Sequence, residues 1–184
     1  MGEAASANEE AAATFLAKLK KIIKEGKYDP RQVFNCDERG LFWKKMPKRT
    51  YIHQSAKQVP GFKAWKDRLR LVLCGNTARH MIKSAIVYHR KNPCTLKNKN
   101  KKFLPIFWQN NLKAWVTAVF FTEWFHQCFI PKVKEYLEKE GLPLKVLLII
   151  DNAPGHLQSI SIEDENVQMV FLPPYCFSHL TRVS

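Results

Sequence analysis

The chain has 184 residues, which suits one domain that buries about 70% of its unfolded surface. Hydrophobic residues make up 46% of it and charged residues 25%, a composition that excludes a fully disordered protein. Its purest apolar run, residues 146–150, is too short to cross a bilayer, which excludes a transmembrane protein.

Basic residues are concentrated in one part of the chain. Segment 48–102 holds 15 Lys and Arg but one acid, Asp67, so it carries the whole net charge of +14. Such a block indicates a polyanionic partner, most simply a nucleic acid, and a solvated surface is the alternative. Within it, residues 97–102 read KNKNKK, which is typical of a nuclear-localisation or phosphate-contact patch, or of an exposed loop without a role.

The five cysteines form no CxxC pair and complete no zinc spacing with the histidines. This usage predicts reduced thiols in an intracellular protein.

The predicted elements describe a single α/β domain over residues 11–184, preceded by disordered residues 1–10. A helix is expected over 11–24 with Gly26 as its cap, followed by a strand over 32–37. Runs 69–74 and 82–88 predict an antiparallel hairpin, and 92–102 a loop. A helix over 117–140, kinked at Pro131, carries an aromatic stripe that we interpret as core rather than as a base-stacking surface. Strands over 144–150, buried on both faces, and 167–172 follow.

Two aspartates follow predicted strands in the same way. Asp37 ends the first strand and Asp151 ends the most apolar one. Sites in open α/β sheets form beyond the carboxyl ends of strands, so these carboxylates are candidates for binding divalent cations that activate water at a phosphodiester. Aspartate is also common in turns at strand ends, and spacing alone leaves both interpretations open.

Several motifs resemble one known family. Residues 35–47 read NCDERGLFWKKMP, close to the N-x-D-E-T-G-L-F-W-K-x-x-P segment of pogo/Tigger-type DDE transposases, a group that includes jerky and centromere-protein-B-like proteins. The resemblance continues in the same order through PGFKA, KDRL, LCGN, KAWVT, FTEWF, LIIDNAPGH and FLPP, which begin at residues 60, 66, 73, 113, 121, 148 and 171.

The resemblance implies an α/β, RNase H-like mixed β-sheet flanked by helices. In such enzymes three acidic residues bind Mg²⁺ or Mn²⁺. The enzymes cut transposon-end DNA and join it to a target. Carried over by position, Asp37 and Asp151 are the first two catalytic and metal-binding carboxylates. Asn152 and His156 are expected to orient groups near the metal, although His156 fits a turn residue equally well.

The chain also departs from the family pattern. Counted without gaps, the third carboxylate falls on Ser184, a neutral residue. Arg39 replaces the usual threonine and places a cation beside Asp37 that competes with metal. We therefore expect a C-terminally truncated domain that lacks the helix carrying the third acid.

The sequence thus predicts a transposon-derived DNA-binding protein of the nucleus, catalytically inactive, with Mg²⁺ or Mn²⁺ as the metal if one is bound. It predicts neither a membrane nor a small-molecule partner. Two alternatives stay open, a metal-dependent endonuclease or strand-transfer enzyme and a transposon relic without function. The candidate nucleic-acid-binding residues are Lys63, Lys66, Arg68, Arg70, Lys99, Lys101 and Lys102.

Overall fold

The structure, a computed structural model, describes residues 3–42, 68–112, 114–151 and 164–173. Three α-helices lie in these ranges: α1 (Glu3–Glu25), α2 (Ala118–Trp124) and α3 (Ile130–Lys139). Six strands form one sheet: β1 (Val33–Phe42), β2 (Arg68–Asn76), β3 (Ala85–Tyr88), β4 (Phe107–Asn110), β5 (Val146–Asp151) and β6 (Val167–Leu172).

The sheet is mixed, with the strand order β4-β3-β2-β1-β5-β6. Strands β1, β2 and β3 run antiparallel in succession, which confirms the predicted hairpin, whereas β5 and β6 run parallel to β1. The helices pack on this sheet as the RNase H-like prediction requires. Strand β4, parallel to β3 at the edge, was not predicted because it has only four residues and closely follows Pro105.

The main core lies between the sheet and the helical segment from α2 to α3. Trp124, Phe129 and Val133 are fully buried there and pack with Phe34 of β1 and Leu148 of β5. The aromatic stripe is therefore core, as the sequence predicts. Strand β5, between β1 and β6, is buried at Val146, Leu147, Leu148 and Ile150, so the prediction of burial on both faces is also confirmed.

The α2–α3 segment contains a wider turn where a kink was expected. Residues Phe125–Phe129 form a π-helix directly before Pro131, which lies in the first turn of α3. Proline cannot donate a backbone hydrogen bond and its ring crowds the preceding turn, and a π-bulge is one way to accommodate it.

Helix α1 differs from the prediction at both ends. It begins at Glu3, within the segment 1–10 that was expected to be disordered, rather than at Ala11. Alanine has the highest helix propensity and Ala4, Ala5 and Ala7 extend the helix toward its N-terminus. At the other end, Lys27, not Gly26, adopts the left-handed conformation with φ 49°. Tyr28 N–H donates to the carbonyl of Ile23, which closes a Schellman motif.

The structure bears on two expectations from composition. No helix within the described ranges is long and apolar enough to span a bilayer. The four cysteines in those ranges, Cys36, Cys74, Cys94 and Cys128, are free thiols in the structure.

Candidate functional site

The backbone places the two family aspartates on neighbouring strands. Strands β1 and β5 are parallel, with Cys36 opposite Ile150. One residue further along each strand, the same register sets Asp37 beside Asp151, which itself pairs with Leu172 of β6. Neighbouring strands are about 4.8 Å apart, so the two backbones come close where β5 ends. Asp37 does not end its strand as the sequence predicted, because β1 continues through the expected bend to Phe42 and pairs with β2 over this length. The predicted convergence of the two carboxylates stays a prediction, because the side chain of Asp151 lies outside the described part of the structure.

Asp37 already has a cationic partner. Its Oδ2 accepts a hydrogen bond of 2.5 Å from Nε of Arg39. The Asp37 side chain is 19% exposed, whereas the Arg39 side chain is 55% exposed. Residues i and i+2 of a strand share a face, which is why these two side chains meet. Asp37 also lines an open depression of about 340 Å³ together with Asn35, Thr77 and Met81.

The described side chains do not by themselves provide a site for divalent cations. No group of three His, Cys, Asp or Glu side chains suitable for a metal occurs among them. Asp37 is held by a guanidinium, which opposes a second cation on the same carboxylate. The side chains of Asn152, His156 and Ser184 lie outside the described residues, so their expected roles stay predictions.

The sheet separates the charged residues onto two faces. The register pairs Asp37 with Leu73, and alternation along β2 puts Leu69 and Leu71 on the same side. We call this side the Asp37 face. Helices α2 and α3 cover the opposite side, which carries Cys36, Val72 and Cys74.

Along β2 the side chains of Arg68 and Arg70 alternate with those of Leu69 and Leu71. The two arginines therefore lie on the helix-covered side of the sheet. Arg70 donates from Nη1 to Glu38 at 2.8 Å and lies over the Trp115 ring at 5.8 Å, so its exposed fraction is 19%. Arg68 is exposed and lies over the Phe42 ring at 5.6 Å. The structure therefore does not group these two arginines with Asp37. Lys63 and Lys66 lie outside the described residues.

Residues 92–104, here called the Lys-rich loop, lie on the Asp37 face. Leu96 and Leu104 of this loop line one apolar pocket with Leu69 of β2 and Trp108 of β4. Lys99 and Lys102 are exposed on the loop. Lys97 is exposed there too; it was not among the predicted DNA-binding residues, although it belongs to the same lysine run.

Lys101 has a different environment from its neighbours. Its ammonium donates to the backbone carbonyl of Lys91 and, at 2.7 Å, to Oδ1 of Asn92. It also lies 6.0 Å from the centre of the Trp108 ring. Lys101 thus ties the end of the Lys-rich loop to its beginning.

The sheet order, the register at Asp37 and the motifs agree with one family. The sequence profile described as "DDE superfamily endonuclease" matches residues 66–183. The chain belongs to this family. The match covers Asp151 and the Lys-rich loop and begins after Asp37.

Curated relatives of this DDE-family chain fall in the predicted group. It is 34% identical over 174 residues to the Jerky protein homolog of Homo sapiens, covering 93% of this chain and 30% of the relative. It is also 34% identical over 166 residues to the human Tigger transposable element-derived protein 7, covering 86% of this chain and 30% of the relative. The chain thus spans about 30% of the length of these relatives.

Solved structures with a similar arrangement include a Mos1 transposase paired-end complex with the left transposon end. The TM-score is 0.48 at 13% identity, over 91% of this chain and 42% of that one. A Mos1 mariner paired-end complex with Mn has a TM-score of 0.42 at 13% identity, over 81% and 36%.

Proposed function

We propose that this DDE-family chain binds DNA through the basic surface of the Asp37 face and does not cut it. The observation that carries the proposal is the position of the Lys-rich loop. The loop places the exposed Lys97, Lys99 and Lys102 on the same side of the sheet as Asp37, within the segment that carries the whole net charge. Lysines bind phosphates irrespective of base sequence.

Two further observations support binding without cleavage. The carboxylate of Asp37 is paired with Arg39. Counted without gaps along the family pattern, the third carboxylate is expected at Ser184, which is neutral. A relative of this chain is named as transposable element-derived, which fits descent from a DNA-processing enzyme. Action in the nucleus is part of the same proposal.

The proposal is tested with two variants that each lose three lysine charges, one from the Lys-rich loop and one from another surface. The first variant combines Lys97→Gln, Lys99→Gln and Lys102→Gln. The control combines Lys132→Gln, Lys134→Gln and Lys139→Gln on α3, which are exposed on the helix-covered side. Affinity for a mixed-sequence DNA duplex is measured by fluorescence anisotropy at several salt concentrations.

We expect the loop variant to bind at least tenfold more weakly. Its slope of log K against log[salt] should be shallower by about 0.9 for each phosphate that the removed lysines had neutralised. The control should stay within about twofold of the parent. Equal weakening in the two variants would contradict the proposal, because it would show that only total charge matters. Unchanged binding by the loop variant would contradict it as well.

A metal-dependent endonuclease is the second candidate. The observation that favours it is the parallel pairing of β1 with β5 up to Cys36 and Ile150, the residues directly before Asp37 and Asp151. It predicts Mn²⁺-dependent nicking of supercoiled plasmid that both Asp37→Ala and Asp151→Asn abolish. The binding proposal predicts no nicking above the Asp151→Asn control. A chain that neither nicks nor binds DNA at low salt would fit a transposon relic.

A further inference from the structure

An apolar pocket of about 310 Å³ opens beneath the Lys-rich loop. Its floor is formed by Leu69 of β2, Tyr88 of β3 and Trp108 of β4, and its walls by Pro93, Leu96 and Leu104. The rings of Tyr88 and Trp108 lie 6.0 Å apart at an angle of 59°. This volume lies at the lower end of the range for small-molecule sites, which suits a flat group about as large as a nucleobase.

The pocket is bounded by positive charge. Lys97, Lys99 and Lys102 are exposed on the loop that forms its walls, and no Asp or Glu occurs between Asp67 and Glu123. The hydrogen bonds from Lys101 to Lys91 and Asn92 fix the shape of the loop. An apolar recess beside a lysine-rich loop matches a ligand that has a flat apolar part attached to an anionic chain.

From this combination we infer that the pocket receives an unstacked base of a nucleic acid whose phosphates contact the surrounding lysines. The inference rests on the proposed DNA binding and adds a preference for DNA with an unpaired base. Aromatic side chains that stack with bases beside a basic track are how proteins bind unpaired strands. Lys101 then acts as a positioning residue for the loop rather than as a phosphate contact.

The test compares three DNA probes at one salt concentration. They are a perfect duplex, the same duplex with a single bulged 2-aminopurine, and the same bulge with an abasic residue in place of the base. We expect the bulged base to bind roughly tenfold more tightly than the other two probes, with quenching of its fluorescence on stacking. The abasic bulge separates insertion of a base from simple bending of the duplex.

Two substitutions with the same chemistry locate the effect. Leu96→Trp fills the pocket, and Leu112→Trp places the same ring at a residue that is 93% exposed and does not line the pocket. We expect Leu96→Trp to abolish the tenfold preference for the bulged base over the perfect duplex. Leu112→Trp should keep the preference. Leu104→Trp, on another wall, replaces Leu96→Trp if circular dichroism shows that the latter is unfolded.

The outcomes distinguish this inference from the proposal beneath it. Binding of all three probes with equal affinity would overturn the base pocket and leave DNA binding intact. A preference that survives both filling substitutions would also overturn it. Failure to bind any probe at low salt would instead overturn the proposed function itself.

Discussion

The carboxylate of Asp37 and the guanidinium of Arg39 form a hydrogen-bonded ion pair on one face of strand β1, with Nε and Oδ2 2.5 Å apart. In the pogo/Tigger pattern that the sequence resembles, a threonine stands at the position of Arg39 and contributes no charge. Since Arg39 is 55% exposed, solvent screens the pair and its energy is at most about 1 kcal/mol. Even so, Arg39 competes with any other cation that approaches Asp37.

Replacement of Arg39 is therefore expected to strengthen metal binding. We predict that Arg39→Thr binds Mn²⁺ about twofold to fivefold more tightly than the parent, because breaking a screened pair costs about 1 kcal/mol or less. The measurement is a titration of free Mn²⁺ by electron paramagnetic resonance. Arg39→Thr combined with Asp37→Asn is the control and should lose the gain. Equal Mn²⁺ affinity in the parent and in Arg39→Thr would show that the pair does not compete with metal.

The end of helix α1 offers a gain in stability. Lys27 adopts φ 49°, a left-handed conformation that glycine tolerates without the steric cost of a side chain. We predict that Lys27→Gly raises the free energy of unfolding by about 1 kcal/mol, measured by urea denaturation. Lys27→Ala removes the same charge and keeps a Cβ, so it should give no such gain. A similar increase in both variants would indicate that relief of charge repulsion, not backbone strain, is responsible.

The turn before β1 predicts a pH dependence. The side chain and backbone N–H of Arg31 donate to Asp29, which lowers the pKa of that carboxyl from 3.8 to about 2. Because the pKa is lower in the folded state, the stabilisation is complete above the unfolded value near 4 and is lost as the pH falls toward 2. Asp29→Asn keeps an acceptor oxygen but not the charge.

Urea denaturation of the parent and of Asp29→Asn at pH 6, 4 and 2.5 tests this expectation. The parent should be the more stable protein at pH 6, and the difference should shrink toward pH 2.5. A difference that is constant over this range would contradict the assignment of the charge to the turn.

The aromatic residues of the α2–α3 segment should determine stability and not recognition. Phe129 is fully buried against Phe34 at 5.8 Å and Phe125 at 5.4 Å between ring centres. Phe129→Ala is expected to lower the free energy of unfolding by about 3–5 kcal/mol, with unchanged DNA affinity in the folded protein. Phe103→Ala, at a residue that is 85% exposed, should change stability by less than about 0.5 kcal/mol. Weaker DNA binding by folded Phe129→Ala would indicate base stacking by this segment.

Much of the sheet could be predicted because most of its strands, β4 excepted, carry a local signal. The run 167–172 matches strand β6 at both ends, and the apolar run before Asp151 identifies β5 as a strand buried inside the sheet. The sequence predicted a cation beside Asp37 at Arg39 but ended the strand at Asp37. The strand β1 in fact continues to Phe42, and because alternate residues of a strand share a face the two side chains meet.

Other features depend on contacts between distant segments and have no local signal. From the sequence alone, Arg70 and Lys99 are both expected to be exposed basic side chains. The register of β2 instead turns the Arg70 side chain toward Glu38 and Trp115. The apolar pocket is lined by Leu69, Leu104 and Trp108, which are far apart in the sequence. They come together only when the sheet is assembled.

Duplex DNA binding across a salt series, with Mg²⁺ present and then removed, tests the central claim most directly. We predict that affinity falls steeply with salt and, at matched ionic strength, does not depend on Mg²⁺, as expected for lysine–phosphate contacts without a metal. Binding that requires Mg²⁺ would contradict the claim and favour a metal site at Asp37 and Asp151. Absence of binding even at low salt would contradict it outright.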